Sequence, residues 1–385
     1  MKRLNQNLWS KLKERKLLDL NGSVFAISLK ILGVYGIYQP KITQFSILRG
    51  IFFFSFIILQ FLTASIYRTF LVKNFREFIV AIVYVIFSVN LTVKLVSFMR
   101  NQKEIMDLVD EVESLDEMVD TKILKKKKSN ILKGLALLLG SDFSTGLLLS
   151  LSILFLSNKK SFTIPLFYYP ESSVGYYSMF AIHYLQIYGL GSIAHGVEMV
   201  PIIFLLKMKY QIAQLRKNIN KIKNRNIEAI KNCVDFQIKI ERIMKKLEFY
   251  YGPTFLIQSS MISIFLCILT FQMISATTHQ NYNDFIYSFG FFIVMLMKIA
   301  LPCFFSQQVI DESRKILYAV YALPWYDNVD MKFRRTVLIM MEKCQHDITM
   351  RIQGFFDFNL VHLGGIIQLA YSYYSVLQSV AGKEI

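Results

Sequence analysis

Polar side chains that interrupt apolar sequence are the natural place to look for chemistry in this chain. Near its C-terminal end Asp357, Gly364, Gln368, Ser372, Ser375 and Ser379 recur at intervals of three, four or seven residues. That spacing sets them on one helical face. A hydroxyl or amide left unsatisfied in hydrocarbon costs roughly 2–7 kcal/mol, so the stripe should face protein or water. Two uses fit it: packing against another helix through small and polar residues, or lining an aqueous path built from several copies, with Val376 beside the serines as an apolar constriction.

A second group is ionisable. Glu198 and Lys298 lie deep inside apolar runs, where charged side chains are costly and face a partner or a cavity; a mutual pair or a watery vestibule accounts for both. Lys94 stands near the end of its run and is expected to snorkel to the membrane surface. Catalytic constellations are lacking. The chain has no HExxH, no GxxxxGK[ST] and no Cys/His cluster, and His183 and His195 are too far apart on one helix to share a metal. No cofactor and no enzymatic activity is expected.

The elements that must position these groups are membrane helices. Of the 385 residues 54% are hydrophobic and 15% aromatic, outside the range of soluble domains. Seven stretches have the roughly 20 apolar residues that a span needs: Ser46–Ile66, Phe78–Met99, Ile131–Leu156, Val174–Leu206, Tyr250–Ala276, Phe285–Ile310 and Ile352–Ala381. Val24–Tyr38 is shorter, contains Lys30, and reads as an interfacial or re-entrant helix. The expected class is an all-α membrane protein of seven transmembrane helices. Its regions are a cytoplasmic segment over 1–45, six spans with their connections over 46–310, inner helices over 311–350, and the last span over 351–385.

The net charge of +17 is concentrated between spans and does not signal nucleic acid. The N-terminal segment, Lys125–Lys128 and the connection from Lys207 to Lys246 are basic, whereas His279–Asp284 has no Lys or Arg. The positive-inside rule then puts the N-terminus in the cytoplasm and, after seven crossings, the C-terminus outside. This is opposite to receptors coupled to G proteins. Met1–Leu20 has no removable signal peptide pattern, and Asn90-Leu91-Thr92 falls inside a span, so its match to a glycosylation site carries no weight. Inside connections at Asn101–Asp120 (Ile105, Leu108, Val112, Leu115) and Ile227–Leu247 (Ile230, Val234, Ile238, Ile243) read as amphipathic extensions of spans. The four cysteines, Cys233, Cys267, Cys303 and Cys344, suggest no disulfide framework.

The outer halves of spans two to six gather Tyr84, Val85, Ser88, Phe143, Gly146, Leu147, Tyr177, Phe180, Tyr184, Phe271 and Ser275, with Tyr287 and Phe291 nearby. Singly these are ordinary interface aromatics. Together they describe an apolar pocket with few polar groups, suited to a small hydrophobic ligand.

From Tyr321-Ala-Leu-Pro-Trp325-Tyr326 through Arg334–Lys343 and Gly354-Phe355-Phe356 to Ser372-Tyr373 and Val376-Leu377, the chain resembles the insect odorant receptors. Cys303 and Ser313 also follow that family's pattern, while Gln307 stands where a glycine is usual. The resemblance implies a subunit of a ligand-gated, nonselective cation channel in the plasma membrane of olfactory sensory neurons. In that family four subunits surround one pore, and the last helix lines it. By match to that helix, Gln368, Ser372, Val376 and Ser379 would belong to the pore, with Val376 as its gate. Tyr321, Trp325 and Tyr326 would belong to an inner anchor joining subunits. A connection after the fourth span shorter than the shared odorant co-receptor's implies the odorant-tuning subunit, partnered by that co-receptor and surrounded by lipid. The related gustatory receptors and a metabotropic seven-helix receptor are the alternatives; the Tyr-x-x-x-Trp-Tyr run favours the odorant class.

Overall fold

The computed structural model describes residues 25–38, 44–53, 75–116, 173–222, 226–278, 282–326 and 330–381, together with 63, 66, 67, 69, 70 and 280. The elements are helices α1 (Ala26–Val34), α2 (Gln44–Phe53), α3 (Phe75–Arg100), α4 (Gln102–Asp116), α5 (Ser173–Asn220), α6 (Ile227–Thr278), α7 (Tyr282–Tyr321) and α8 (Met331–Cys344). The hairpin strands β1 (Arg351–Ile352) and β2 (Phe356–Asp357) and helix α9 (Leu360–Ala381) complete them. The expected third span, Ile131–Leu156, and the basic run Lys125–Lys128 lie outside the described residues, as does most of the first span.

Helix α6 is the central element, with α3, α5, α7, α8 and α9 packed on it. Its 52 residues extend about 78 Å at 1.5 Å per residue, far beyond a hydrocarbon core of about 30 Å. The same continuous helix must therefore both cross the membrane and build structure beyond it. Among the described residues three stretches are long and apolar enough to cross: Gly189–Asn220, Ile227–Thr278 and Ser288–Tyr321. Each carries one interior proline, Pro201, Pro253 and Pro302.

The two stretches expected as amphipathic helices are helical, as α4 and the first part of α6. On α4, Ile105, Leu108, Val112 and Leu115 are all buried. On α6 the apolar face differs from the expected one. Ile230 and Ile243 are buried, but Ile238 is exposed and Val234 only half-buried. Among the buried residues of this stretch, which also include Phe236 and Ile243, the row Ile230, Cys233, Gln237, Ile240, Met244 and Leu247 advances by steps of three and four and keeps to one seam, whereas steps of four, four and five drift off it. Exposed ion pairs such as Lys343 with Glu241 at 3.0 Å contribute at most about 1 kcal/mol; the apolar seam holds this end together.

Helix α1 packs one face against α5 as a prop. Phe25, Leu29 and Leu32 are completely covered, the α1 residues packing against α5, and Lys30 and Val34 turn outward. The crossing depends on Gly196. A Cβ there would stand 2.9 Å from the Leu32 side chain, so a larger residue would force that buried leucine to shift.

All four cysteines are free and buried. Burial pushes the thiols of Cys233 and Cys344 up to about 11, and Cys344 Sγ donates to Gln237 Oε1 at 3.7 Å. Because the thiolate is the reactive form, both should resist N-ethylmaleimide at pH 7.5 until the protein is unfolded. Labelling should be about two orders of magnitude slower than for a free thiol, as read by peptide mass; rapid labelling of either in the folded receptor would show that the seam opens.

Candidate functional site

The final helix begins later than its hydropathy suggests. Gln353 and Gly354 both have positive φ, 52° and 72°, as a tight hairpin turn of the primed type requires. Glycine meets that need without strain. Arg351 pairs with Asp357 and Ile352 with Phe356 across the hairpin. Asp357 therefore lies on β2 beside Arg351, at 3.4 Å, and is not part of the helical stripe. Asn359 caps the helix, its Oδ1 accepting from the His362 amide at 3.0 Å, and α9 runs from Leu360.

Helix α9 leans on α6 and α7 through Ile366 and Ala370, with Leu363 half-buried beside them. Gly364, Gln368, Ser372, Ser375 and Ser379 are all exposed on the opposite side, and Val376 is 62% exposed at the stripe's edge. The stripe is thus not the packing face within one chain. Its hydroxyls turn back on their own helix: Ser372 donates to the Gln368 carbonyl at 3.0 Å, Ser375 to Tyr371 at 3.1 Å and Ser379 to Val376 at 2.7 Å. These bonds lower the cost of an apolar neighbour below the free-hydroxyl figure.

Behind α9 lies a buried ionic core. Lys94 Nζ donates to Glu198 Oε1 at 2.6 Å and Lys298 Nζ to Oε2 at 2.6 Å, which ties α3, α5 and α7 together. Pairing of Glu198 with Lys298 was one of the two expected arrangements. Lys94 does not snorkel: its side chain is 8% exposed, because the carboxylate of α5 lies within reach and offers a better partner than a distant interface.

Pro302 lies four residues beyond Lys298 and has no amide to give its carbonyl. Gln258 of α6 supplies the missing donor, Nε2 to Lys298 O at 3.2 Å. The next residue, Ser259, meets His362 Nε2 at 3.0 Å. His362 also stacks on Phe356, ring centroids 4.4 Å apart. Two neighbouring residues of α6 thus reach in different directions, Gln258 to the backbone of α7 beside the ionic core and Ser259 to the base of α9. Sequence reading passed over Gln258, Ser259 and His362; the one usable signal was the proline four residues after a buried lysine.

The pocket residues are only partly in view. Phe143, Gly146 and Leu147 lie outside the described residues. Tyr84 rides on α3, and Tyr177, Phe180 and Tyr184 on α5, with side chains outside the described set. Ser88 is buried, while Val85, Phe271 and Ser275 are half-buried. Phe271 packs with Ile82, Ile86 and Phe87 around Phe265 and Ile268, a wholly apolar cluster above the ionic core. His195 bonds to its own helix, Nδ1 to Gly191 O at 2.6 Å. At the other end, Trp325 Nε1 donates to Tyr321 O at 3.2 Å, and the rings of Tyr321, Trp325 and Tyr326 cluster edge to face. Ser313 accepts the Ile348 amide at 2.9 Å.

Long helices bundled on a central one, three of them among the described residues long and apolar enough to cross a membrane, define a mostly helical membrane fold. The structure of the olfactory receptor OR5 from Machilis hrabei in complex with eugenol superposes with a TM-score of 0.76 at 18% identity, covering 94% of this chain and 98% of that one. The family profile described as "7tm Odorant receptor" matches residues 74–371, and the chain belongs to the insect odorant receptor family, the multi-pass membrane receptors of olfaction. Among curated relatives, the odorant receptor coreceptor of Anopheles gambiae is 27% identical over 150 residues, 39% of this chain and 30% of that protein. Odorant receptor 67a of Drosophila melanogaster is 19% identical over 223 residues, 55% of this chain and 51% of that protein. The matched stretches thus span about a third to a half of these relatives' lengths.

Proposed function

We propose that this chain is the odorant-tuning subunit of a ligand-gated, nonselective cation channel, assembled with the odorant co-receptor in the plasma membrane of olfactory sensory neurons. The observation that carries the reading is the orientation of the α9 stripe. Five small or polar positions point away from the chain's own core, a waste in a lipid-facing helix but a use in a wall shared by several copies. The exposed aromatic cluster at Tyr321 and Tyr326 supports an inner anchor joining subunits, since exposed aromatics of that kind favour interfaces.

In this reading seven helices cross the membrane from a cytoplasmic N-terminus. A small hydrophobic volatile enters the pocket framed by Tyr84, Ser88, Phe143, Tyr177, Phe180 and Phe271. Eugenol in the related OR5 structure is a ligand of the matching chemistry. The ligand opens the pore only to the extent that it binds the open state better than the closed one. The bonds that α6 makes to α7 through Gln258 and to α9 through Ser259 join α9 to the helices that bear the pocket.

The test is whole-cell current during a volatile panel, in cells expressing this chain alone or with the co-receptor. Current should appear only on co-expression, reverse near zero and persist when G-protein signalling is blocked. Current from this chain alone would make it a self-sufficient channel. Loss of current with G-protein block would favour a metabotropic receptor.

A further inference from the structure

The ionic core carries more positive than negative charge. Lys94 and Lys298 share the single carboxylate of Glu198, and among the described residues no second acidic group pairs with either ammonium. Each ammonium has three protons, and one from each is committed to Glu198. A surplus cation in a low-dielectric interior is expensive unless it is compensated.

Two small cavities share Lys94, Glu198, Gln258 and Lys298 in their walls and differ in the remaining polar groups. One, about 20 Å³, is bounded by Lys94, Lys298, Tyr250, Tyr251 and Pro302. Tyr251 is 5% exposed, and its hydroxyl has no partner, so beside the one carboxylate of Glu198 this cavity offers two ammoniums and a spare hydroxyl donor. The other, also about 20 Å³, is bounded by Lys94, Lys298, Asn90, Phe87 and Met295. There the unpartnered atom is Asn90 Oδ1, an acceptor, which suits a water that takes a proton from a lysine and gives one to Asn90. Either space exceeds the 10–15 Å³ or so that one water needs.

We propose that the cavity beside Tyr251 is a binding site for a small monovalent anion, held by Lys94, Lys298 and the Tyr251 hydroxyl, which completes the charge balance of the core. Its occupant is a halide from the medium or the carboxylate head of an acidic ligand. The two sources share this chemistry and differ in what lies behind the charge: a halide ends there, whereas a carboxylate brings an alkyl chain that must lie along apolar walls.

The site is tested on the purified full-length receptor assembly by thermal unfolding at constant ionic strength, with sodium gluconate replaced stepwise by sodium chloride or by sodium carboxylates from acetate to hexanoate. Wild type should show a saturable rise in Tm of several degrees. Chloride alone doing so assigns a halide; a rise that grows with alkyl length assigns an acidic ligand. Lys298→Met leaves a neutral Lys94–Glu198 pair, so the core stays paired and the rise should vanish. Tyr251→Phe, which keeps the ring, should weaken the half-saturating anion concentration severalfold. No anion-dependent rise in wild type would mean that the cavity holds water only or that a lysine has shed its charge. An equal rise in Lys298→Met would mean a general salt effect. Either result overturns the proposal.

Discussion

Glu198→Leu should remove the receptor from the cell surface. The substitution leaves the ammoniums of Lys94 and Lys298 facing each other across the place of their only shared carboxylate. Breaking a buried ion pair by deleting one partner costs about 3–5 kcal/mol, a large part of the 5–15 kcal/mol that holds a domain folded. A fall of more than tenfold in surface labelling, with retention inside the cell, is the expected result. Replacing all three groups together, Lys94→Met with Glu198→Leu and Lys298→Met, should restore most of it, because an apolar trio of similar volume needs no compensation. The pair of outcomes separates charge from packing. If the triple variant is lost as fully as the single one, the core depends on the hydrogen bonds of these side chains and not on their charge balance; if the single variant reaches the surface normally, the ionic core is not a structural tie.

The contrast between Lys94 and Lys298 shows what a sequence can and cannot disclose here. Both are lone lysines in apolar helices. Position along the helix suggested that one reaches the surface and the other needs a partner, and it was right only for the second. Partnering depends on which helices lie side by side at one depth, and apolar periodicity does not encode that. The long helices, the amphipathic α4 and the polar face of α9 were legible, because spacing alone sets a helix's face. The start of α9 was not. Asp357 fits the stripe by spacing, and only the two positive-φ residues before it, Gln353 and Gly354, turn that segment into a hairpin. The seam of α6 was mis-registered for a related reason: several apolar rows exist on a long helix, and the partner chooses among them. His362 and Ser259 were invisible because each is unremarkable in its own helix and acquires a role only from the other.

Val376→Ala should open the pore without ligand. In the proposed assembly the exposed Val376 side chains of neighbouring copies meet at the axis, where a ring of isopropyl groups excludes water from a narrow passage and so stops ions. Replacement by alanine removes two carbons from each copy, about 1.6 kcal/mol at about 0.8 kcal/mol per buried carbon group, about fifteenfold in the open-to-closed ratio for each copy carrying it. Basal current through the co-expressed channel should rise by about that factor, and the odorant-evoked increment should shrink relative to it. Gln368→Ala provides the comparison. Gln368 faces the same way two turns earlier, is polar and does not close the ring, so its loss should change relative permeability among cations while leaving basal current near wild type. That split assigns the gate to one apolar position and the ion path to the stripe. Basal current, selectivity and evoked current all unchanged in Val376→Ala, with surface expression matched, would take the gate away from α9's exposed face and leave the stripe a contact between subunits.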